Sequence, residues 1–566
     1  MVRRALLALG IALALVTGAA ATAAPAPSRQ HRVIVQGSSS AAAAAAVQRA
    51  GGQVLRRLDV VGGVAAELPA DASVPGFTVT PDQPLRPQSV DTGDSGGSGT
   101  AGNVYRQETG ATGLPPAQRH STVALIDTGI SDVGGLGAKT LTVPDPVTGE
   151  PAPCANFSSE AGDCADNYGH GTFLAGLIAG GGAYPGMDPD ARLVSVKIAG
   201  RSGAADTSSV LAAIQWVVSF KDQLGIDVLN LSLGTDSNHD FRKDPLNRAV
   251  ERAWRAGLVV VVAASNRGPA QGTISKPADD PLVVTVGAVD DQGTSTATDD
   301  TVAPFSGRGP VREGTPDDPV TVRKPDVVAP GVGLVSLTVP GSHIEQTAPP
   351  SSVGVAGYRR GSGTSQATAV VSGAVALLLE RRTLTPDEVK AALYVGAHHM
   401  WSQPFSSVGA GVVDVADSLD ADVHGFAQPD PRQDDFDGLD LSRGTEQVTS
   451  FSCGTLRAQL DKDAGCTVVS GQLTALATNK GVLAQPYLDA FDATAYGTGT
   501  WDGQSWYAGQ WVQGQSWYGQ SWYGQSWYGQ SWYEEGSAQP STAPSEGTST
   551  DFGTVLPGSA WYGVWR

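Results

Sequence analysis

The sequence predicts an α/β protein: a three-layer domain built on a parallel sheet, preceded by a small α+β unit and followed by a low-complexity tail. Between residues 103 and 420, short apolar runs alternate with helical stretches, which is the pattern of parallel strands joined by helices. The run at 258–262 is wholly apolar, as expected for a strand that is covered on both faces. Beyond residue 500 the pentapeptide Gly-Gln-Ser-Trp-Tyr occurs five times, which indicates a repetitive tail.

Residues 1–23 have the layout of a secretory signal peptide. Two arginines precede an apolar run from residue 5 to 16, and Ala21 and Ala23 form an A-x-A cleavage motif. The apolar run is shorter than the roughly 20 residues that a membrane-spanning helix needs, and no later run is long enough either. We therefore predict a secreted, extracellular protein without a transmembrane anchor.

Length, charge and cysteine content indicate the number of units, the kind of partner and the presence of disulfides. A chain of 566 residues exceeds what one hydrophobic core usually supports, so two or three units are expected. The net charge of -19 argues against a nucleic-acid partner, because no broad basic surface is available to neutralise phosphates. The four cysteines form two close pairs, 154 with 164 and 453 with 466, which in an exported chain indicate local disulfides.

Residues 24–90 are predicted to form the small α+β unit, and the polar, glycine-rich stretch 91–102 a linker open to proteolysis. A helix followed by Gly51 and Gly52 is flanked by alternating apolar stretches that can pair as a sheet. The expected elements are a strand at Arg32–Gln36, a helix at Ala41–Ala50 and strands at Val54–Val60 and Val64–Leu68.

The main domain, 103–420, is expected to place polar residues at the carboxyl ends of its strands, where sheets of this kind bind ligands. Asp127, Ser232 and Asn266 each directly or closely follow an apolar run. The expected elements are strands at Thr122–Ile126, Leu193–Ile198, Val228–Leu231 and Leu258–Val262, and helices at Thr207–Phe220, Pro245–Ala256 and Thr364–Glu380.

Hydrolysis of an amide needs a nucleophile, a base, a group that orients the base, and donors for the oxyanion. Ser365 follows glycines and opens a long helix, whose first N–H groups favour negative charge. His170 stands between glycines, and Asp127 ends an apolar strand where a carboxylate can orient a histidine. Asn266 follows Ala-Ala-Ser at another strand end, from which its amide can reach a tetrahedral intermediate.

Other hydrolase classes fit these motifs less well. An aspartic protease needs a second Asp-Thr-Gly in an apolar setting, and the other copy, 91–93, lies in the polar linker. An α/β-hydrolase needs glycine two places after the serine, where Ala367 stands, and its chain order ends in histidine. The order here is Asp, His, Ser.

The segment from about 103 to 420 resembles the subtilisin-like serine peptidases, the subtilases. The resemblance implies that Ser365 is the nucleophile, His170 the general base and then acid, and Asp127 the orienting carboxylate, with Asn266 and the Ser365 backbone N–H holding the oxyanion. The matching stretches are Ala-Leu-Ile-Asp-Thr-Gly at 124–129, Gly-His-Gly-Thr at 169–172, Leu-Asn-Leu-Ser-Leu-Gly at 229–234, Lys-Pro-Asp-Val-Val-Ala-Pro-Gly at 324–331 and Gly-Thr-Ser-Gln-Ala at 363–367.

The same resemblance assigns further parts of the chain. Residues 24–90 look like an inhibitor-type propeptide, which would make the protein a self-maturing zymogen and its own propeptide a partner. The family pattern also makes 232–234 (Ser232, Leu233 and Gly234) one wall of the pocket for the P1 side chain. The stretch 200–205, with Gly203 and Ala204, becomes the edge that pairs with extended protein or peptide substrates.

Two departures from the family pattern concern charge and metal. In many subtilases an Asn-containing calcium loop follows the histidine helix, but the stretch 180–186 offers no side-chain oxygen except that of Tyr184. We therefore predict that this calcium site is missing and that no cofactor is required, with calcium binding elsewhere left open. Arg267 and Lys276 lie near the expected pocket. One hypothesis is that they disfavour basic P1 residues by repulsion between like charges, and the other is that they are solvated charges with no effect on specificity.

The C-terminal part consists of two units whose sequences contain fewer motifs that indicate a fold or a function. Residues 421–500 are a small region with one cysteine pair, and residues 501–566 are a Trp- and Tyr-rich repeat tail, similar to tails of some actinobacterial secreted subtilases. The tail is either a low-complexity segment or a stacking surface for cell-wall or other glycans. The rival to the peptidase is thus a non-catalytic surface or glycan-binding protein that presents this tail.

Overall fold

The computed structural model describes residues 30–87, 103–237, 239–315, 318–347, 353–400 and 403–428, with the short stretches 505–507 and 510–512. The predicted signal peptide, the linker, and almost all of the predicted 421–500 region and repeat tail lie outside the described residues. Within the tail, the strands Ser505–Tyr507 and Gln510–Val512 pair as an antiparallel hairpin. Among the described residues we find no helix with the length and apolar character that crossing a membrane requires.

An eight-stranded sheet forms the centre of the main domain, and the predicted α/β architecture is confirmed. Neighbouring strands are parallel, except that Thr301–Val302 runs antiparallel to its neighbour. In spatial order the strands are Thr301–Val302, Val284–Asp290, Val259–Ala263, Val228–Leu231, Thr122–Asp127, Arg192–Lys197 and Ala155–Asn156, with Val327–Pro330 also paired to Val284–Asp290.

The central strands are buried along their whole length, so both faces of the sheet are covered. Their register places Ile126 beside Leu231 and Leu231 beside Val262. The next residue after each of these is Asp127, Ser232 and Ala263. These three residues therefore lie at the same edge of the sheet. That edge is where the sequence predicted the site.

Two groups of helices pack on this sheet. The helices that begin at His170 and at Thr364 contact each other, and those that begin at Thr207 and at Pro245 contact each other. The α-helices are Ser40–Arg49, Tyr105–Glu108, His170–Ala179, Thr207–Leu224, Pro245–Arg255, His343–Thr347, Thr364–Arg381, Pro386–Gly396, Phe405–Val408 and Val415–Asp420, and short 3₁₀ helices cover Asp59–Val61 and Leu136–Ala138.

The small N-terminal unit, residues 30–87, is a four-stranded antiparallel sheet with one helix packed on it. The helix and three of the strands lie where the alternating stretches predicted them, and the fourth strand, Thr78–Pro81, was not predicted. The strand order of this unit is Gln53–Leu58, Gly63–Pro69, Gln30–Gln36 and Thr78–Pro81, and the helix is Ser40–Arg49. The predicted strand Val54–Val60 ends earlier, because the chain turns through the 3₁₀ helix 59–61.

Further short strands pair outside these two sheets. Ala205–Asp206, Pro84–Pro87 and Leu233–Gly234 form a three-stranded sheet, and two-stranded pairs join Val143–Pro144 to Pro151–Ala152, Val311–Thr315 to Asp318–Val322 and Leu334–Leu337 to Tyr358–Gly361. A disulfide joins Cys154 to Cys164, with their Cα atoms 5.6 Å apart, as the sequence predicted. The second cysteine pair lies outside the described residues.

The observed ends of two helices have local causes. The helix predicted at Thr207–Phe220 continues to Leu224 and stops at Gly225, whose φ of +61° is a left-handed conformation that glycine adopts without strain. The helix Pro386–Gly396 begins with a capping box in which Thr385 and Glu388 bond to each other's backbone N–H groups.

A buried pair of carboxyl groups lies beneath the C-terminal end of the Thr364–Arg381 helix. Asp188 and Glu380 are 1% and 2% exposed, and Glu380 accepts a hydrogen bond from the backbone N–H of Ser121 at 3.0 Å. Burial and the neighbouring charge of Glu380 raise the pKa of Asp188 to about 7. The folded chain therefore keeps a proton that the unfolded chain releases near pH 4.

We expect Asp188→Asn to be more stable than the parent at pH 8 by about 1–3 kcal/mol, and much less so at pH 5. The stability that the protonated Asp188 contributes is present at low pH and is lost as pH rises from about 4 to about 7, whereas asparagine does not titrate. Thermal unfolding in a Ser365→Ala background measures this difference. Asp222→Asn, at an exposed helix position, is the control, and a gain that does not change between the two pH values would contradict the prediction.

Candidate active site

Asp127 and His170 form a buried pair at the carboxyl edge of the sheet. Asp127 is the last residue of its strand and His170 the first of its helix, and His170 Nδ1 lies 2.7 Å from Asp127 Oδ1. The two residues are 3% and 0% exposed. Because Nδ1 faces the carboxylate, Nε2 is the ring nitrogen that can accept a proton, and it has no hydrogen-bond partner among the described residues.

Asp166 supports this pair, and sequence reasoning missed it. Its carboxylate accepts hydrogen bonds at 2.7 Å from the backbone N–H groups of Gly169 and Thr172 and from the Thr128 hydroxyl. Burial raises the pKa of Asp166, although the hydrogen bonds it accepts favour its charged form. Asp166 thus joins the first turn of the His170 helix to the loop after Asp127. An aspartate shortly before a helix start is a capping signal that could have found it.

Ser365 occupies the second position of the Thr364–Arg381 helix and is fully buried. Its Oγ donates a hydrogen bond to the backbone oxygen of Ser232 at 3.2 Å. Gly363, which precedes the helix, has a φ of +151°, which L side chains rarely adopt, and its backbone N–H donates to Gly331. This glycine lets the chain enter the helix abruptly at the serine.

Asn266 lies next to the start of the same helix. Its Oδ1 accepts hydrogen bonds from the backbone N–H and the hydroxyl of Thr364, both at 2.9 Å. Because its oxygen is committed to Thr364, the amide nitrogen is the part of this side chain suited to donate to an oxyanion. The preceding residue, Ser265, has a φ of +133°, a strained conformation of the kind that concentrates at functional sites.

The segment Pro84–Pro87 of the N-terminal unit lies in the cleft beside these residues. It pairs antiparallel on one side with Leu233 and Gly234, and on the other with Ala205 and Asp206. Ser232, the third member of the predicted wall, is fully buried, and its Oγ donates to Asn230 at 3.0 Å. The structure therefore brings the predicted wall 232–234 together with an extended segment of the same chain.

The opposite edge differs slightly from the prediction. The predicted edge for substrate is the stretch 200–205, with Gly203 and Ala204; the residues that pair with 84–87 are Ala205, the last of that stretch, and Asp206. Gly203 has a φ of +68° and its N–H closes a turn onto Gly200 at 2.9 Å, so extended backbone begins only after it. Gly203 still lines the cleft beside the bound segment.

Contacts next to the cleft hold the N-terminal unit in place. The carboxylate of Asp82 accepts hydrogen bonds from the backbone N–H and the hydroxyl of Ser208, both at 2.8 Å, at the start of the Thr207–Leu224 helix. Thr207 donates its N–H and its hydroxyl to the backbone oxygen of Gln83, both at 2.9 Å. Thr235 donates its hydroxyl to the side chain of Gln83 at 2.8 Å.

The two cations near the expected P1 pocket both have carboxylate partners. Lys276 is 3% exposed and pairs with Asp279 and Glu313; burial lowers its pKa, but these two carboxylates more than offset the effect and raise it. Arg267 lies 2.8 Å from Asp236. The buried Lys276 is therefore not a solvated charge, whereas Arg267 and its partner are largely exposed. The effect of the two cations on basic P1 side chains stays a prediction.

Comparison with known proteins identifies relatives of the main domain. The model of the subtilase family matches residues 118–423. The chain is 38% identical over 310 residues to the serine protease AprX of Bacillus subtilis, covering 53% of this chain and 66% of AprX. It is 32% identical over 267 residues to subtilisin DY of Bacillus licheniformis, covering 46% of this chain and 81% of subtilisin DY.

Another relative is matched over a smaller part of its own length. Membrane-bound transcription factor site-1 protease of Rattus norvegicus is 34% identical over 257 residues, which are 44% of this chain and 21% of that protein. The match thus spans just under two thirds of AprX and about a fifth of the site-1 protease.

A solved structure shares the fold. Fervidolysin from Fervidobacterium pennivorans, described as a keratinolytic enzyme related to subtilisin, superposes with a TM-score of 0.52 at 21% identity, covering 69% of this chain and 61% of fervidolysin. This likeness concerns the fold alone. The family model covers more than half of the chain, and Asp127, His170 and Ser365 all lie within the matched residues. The chain therefore belongs to the subtilase family.

Proposed function

We propose that the protein is a secreted serine endopeptidase that hydrolyses peptide bonds through an acyl-enzyme on Ser365. The observation that carries this proposal is the 2.7 Å contact between Asp127 and His170 Nδ1, which leaves Nε2 as the proton acceptor. Ser365 lies at the start of a helix that packs against the helix of His170. The predicted signal peptide supports secretion.

In the proposed reaction, the Ser365 side chain turns from the backbone oxygen of Ser232 toward His170. Nε2 takes the hydroxyl proton as Oγ attacks the scissile carbonyl, and Asp127 stabilises the imidazolium that forms. This attack forms the bond between Oγ and the carbonyl carbon. The proton then passes from Nε2 to the amide nitrogen as the carbon–nitrogen bond breaks, which releases the amine and leaves the acyl-enzyme on Ser365. A water molecule then attacks the acyl carbon, with His170 as the base. The bond to Oγ breaks, the carboxylic acid product leaves, and the serine hydroxyl is restored.

The oxyanion of the tetrahedral intermediate would be held by the Asn266 amide and the backbone N–H of Ser365. The N–H groups in the first turn of a helix lack intrahelical partners and carry partial positive charge. Donors that are already in position stabilise the charge as it develops, without reorganisation of the site.

We expect Asn266→Ala to lower kcat by about 10²–10³-fold with little change in KM, because the lost donor acts on the intermediate rather than on the bound substrate. The alanine also removes the acceptor for Thr364. Asn266→Asp keeps that acceptor but has no amide N–H, so a similar loss of kcat in both variants isolates the donor. Steady-state kinetics on a peptide amide measures it, and an aspartate variant with parental kcat would contradict the role.

We further propose that residues 24–90 are an inhibitory propeptide and that the protein matures by its own activity. The extended segment 84–87 pairs with both edges of the cleft, which supports the view that it occupies the place of a substrate. It continues into the predicted linker 91–102, where a cut would separate the unit from the enzyme.

Asp82→Ala is expected to weaken this inhibition by roughly tenfold, because two hydrogen bonds to the start of a helix are lost. The measurable result is a shorter lag before casein hydrolysis begins in newly secreted protein. Asp71→Ala, an exposed position of the same unit, is the control, and the final yield of mature enzyme separates inhibition from assisted folding. An unchanged lag at equal yield would reject the proposed latch.

A covalent probe tests the endopeptidase proposal directly. Phenylmethylsulfonyl fluoride is expected to add one sulfonyl group to Ser365, located by tandem mass spectrometry, with loss of casein hydrolysis in proportion to labelling. Heat-denatured protein should remain unlabelled. Modification elsewhere, or labelling without loss of hydrolysis, would remove the basis for Ser365 as nucleophile and favour the non-catalytic alternative.

A further inference from the structure

The loop that is closed by the Cys154–Cys164 disulfide carries Glu160 to the edge of the cleft. The disulfide joins the two ends of this loop. Within the loop, the side-chain amide of Asn156 donates to the backbone oxygen of Glu160 at 2.7 Å and to that of Asp163 at 2.9 Å. The position of Glu160 is therefore fixed by contacts inside the loop.

The carboxylate of Glu160 binds two separate points of the neighbouring chain. Its Oε2 accepts a hydrogen bond from Lys197 Nζ at 2.9 Å, and its Oε1 accepts the backbone N–H of Arg201 at 2.8 Å. Lys197 is the last residue of its strand and lies next to Asp127 in the sheet. Arg201 lies in the turn that follows, before the paired residues 205–206. Glu160 therefore fixes the path of the chain between the strand end and the edge of the cleft.

The local sequence and the local charges suit this contact. A Cβ atom at Gly200 would lie 2.4 Å from the carboxyl carbon of Glu160, so glycine is needed for the carboxylate to approach the turn this closely. Burial raises the pKa of Glu160, but hydrogen bonds from Lys197, from the Arg201 N–H and from Asn167 outweigh this effect and hold the pKa at about 2. The side chain of Lys197 is fully buried, so its charge needs this carboxylate.

The chain that Glu160 holds meets the part of the bound segment that is farthest from Ser365. The stretch 205–206 pairs with residues 84–85 of that segment. The following residues of the segment run along the opposite wall toward Ser232, whose backbone oxygen accepts a hydrogen bond from Ser365 Oγ. A substrate bound in the same way would therefore reach 205–206 only with residues several positions before the scissile bond.

We propose that Glu160 is a positioning residue, which holds the stretch 200–206 in the conformation that pairs with residues of the substrate several positions before the scissile bond. This role rests on the proposed peptidase function, and it concerns substrate binding rather than the chemistry at Ser365. A contact that is equally strong with the bound substrate and with the transition state lowers KM without changing kcat. Loss of the Glu160 contact should therefore raise KM for long peptides and leave short substrates unaffected.

Two double variants isolate the hydrogen bond between Glu160 and Arg201, because removal of Glu160 alone would leave Lys197 as a buried, unpaired charge. Both variants carry Lys197→Met, which is combined with Glu160→Ala in one and with Glu160→Gln in the other. The glutamine keeps a side-chain oxygen that can accept the Arg201 N–H, and the alanine does not. Glu150→Gln, at an exposed position of the preceding hairpin, is the matched control.

The substrates for the mature enzymes are succinyl-Ala-Ala-Pro-Phe and succinyl-Phe, both as thiobenzyl esters. With the alanine pair, KM for the tetrapeptide is expected to rise roughly tenfold, while kcat changes by less than about twofold. The glutamine pair and Glu150→Gln should keep the parental KM, and kcat/KM for the short ester should be alike in all of these proteins. Equal KM values in the two double variants, or a parallel loss on the short ester, would overturn the proposal.

Hydrogen exchange in the full-length Ser365→Ala protein tests the same role without catalysis. Backbone amides of 200–206 are expected to exchange about tenfold faster with the alanine pair than with the glutamine pair. Equal exchange in the two pairs would overturn the positioning role. If the expected difference in exchange is found but the parent hydrolyses neither ester, the proposed peptidase function fails and the contact between Glu160 and the edge of the cleft stands.

Discussion

Replacing Ser365 with alanine is expected to lower kcat/KM for casein by about 10⁶-fold, which is the size known for subtilisin, a member of the same family. Without Oγ no acyl-enzyme forms, and the oxyanion donors and substrate binding alone account for the remaining rate. The variant should also keep its N-terminal unit, because in the proposed self-maturation Ser365 is the nucleophile that removes it. Casein hydrolysis and mass spectrometry of the N-terminal region measure both effects on one sample.

Ser372→Ala is the matched control for this experiment. Ser372 lies about two turns further along the same helix, is fully buried, and accepts a hydrogen bond from Asn230 at 2.9 Å. We expect it to mature and to hydrolyse casein within a few-fold of the parent. If Ser365→Ala retained more than about 1% of the activity, another residue would have to be the nucleophile.

Asp127→Asn is expected to lower kcat by about 10⁴-fold. The carboxylate at 2.7 Å fixes the imidazole with its proton on Nδ1 and stabilises the imidazolium, and a neutral amide does neither. Steady-state kinetics at pH 8 on purified mature protein measures the loss; if self-maturation fails, the propeptide is removed by another protease first.

Asp132→Asn, on the loop that follows the same strand, serves as the control for Asp127→Asn. It removes a carboxylate that only accepts the backbone N–H of Gly137, so near-parental kcat is expected. A loss below tenfold for Asp127→Asn would mean that Asp127 does not orient the base, whatever its distance from His170.

Much of the candidate site could be predicted from short stretches of sequence. Asp127, His170 and Ser365 each occupy a local setting that is itself readable: a strand end, a histidine between glycines and a helix start after glycine. Apolar runs also located four of the eight strands of the central sheet to within a residue, because complete burial requires apolar side chains on both faces.

The edge of the cleft near residues 200–206, which pairs with extended chain, was predicted less accurately. Its position depends on where the turn after Gly200 closes and on the backbone conformation of Gly203, and neither follows from residue type alone. Asp166 was missed for a related reason. Its carboxylate matters because three donors from two separate segments converge on it, and only one of those segments is adjacent in sequence.

The family, the order of the Asp, His and Ser motifs and the α/β class could be predicted from residue type and from spacing along the chain. Which distant groups meet depends on the folded structure. Residues 84–87 lie in the cleft, Lys276 is neutralised by Asp279 and Glu313, and Glu108 faces Asp300, because the packing of helices and strands brings together segments that are far apart in the chain. Burial then sets the electrostatic consequences, since charges removed from water must find a partner, a proton or a metal ion.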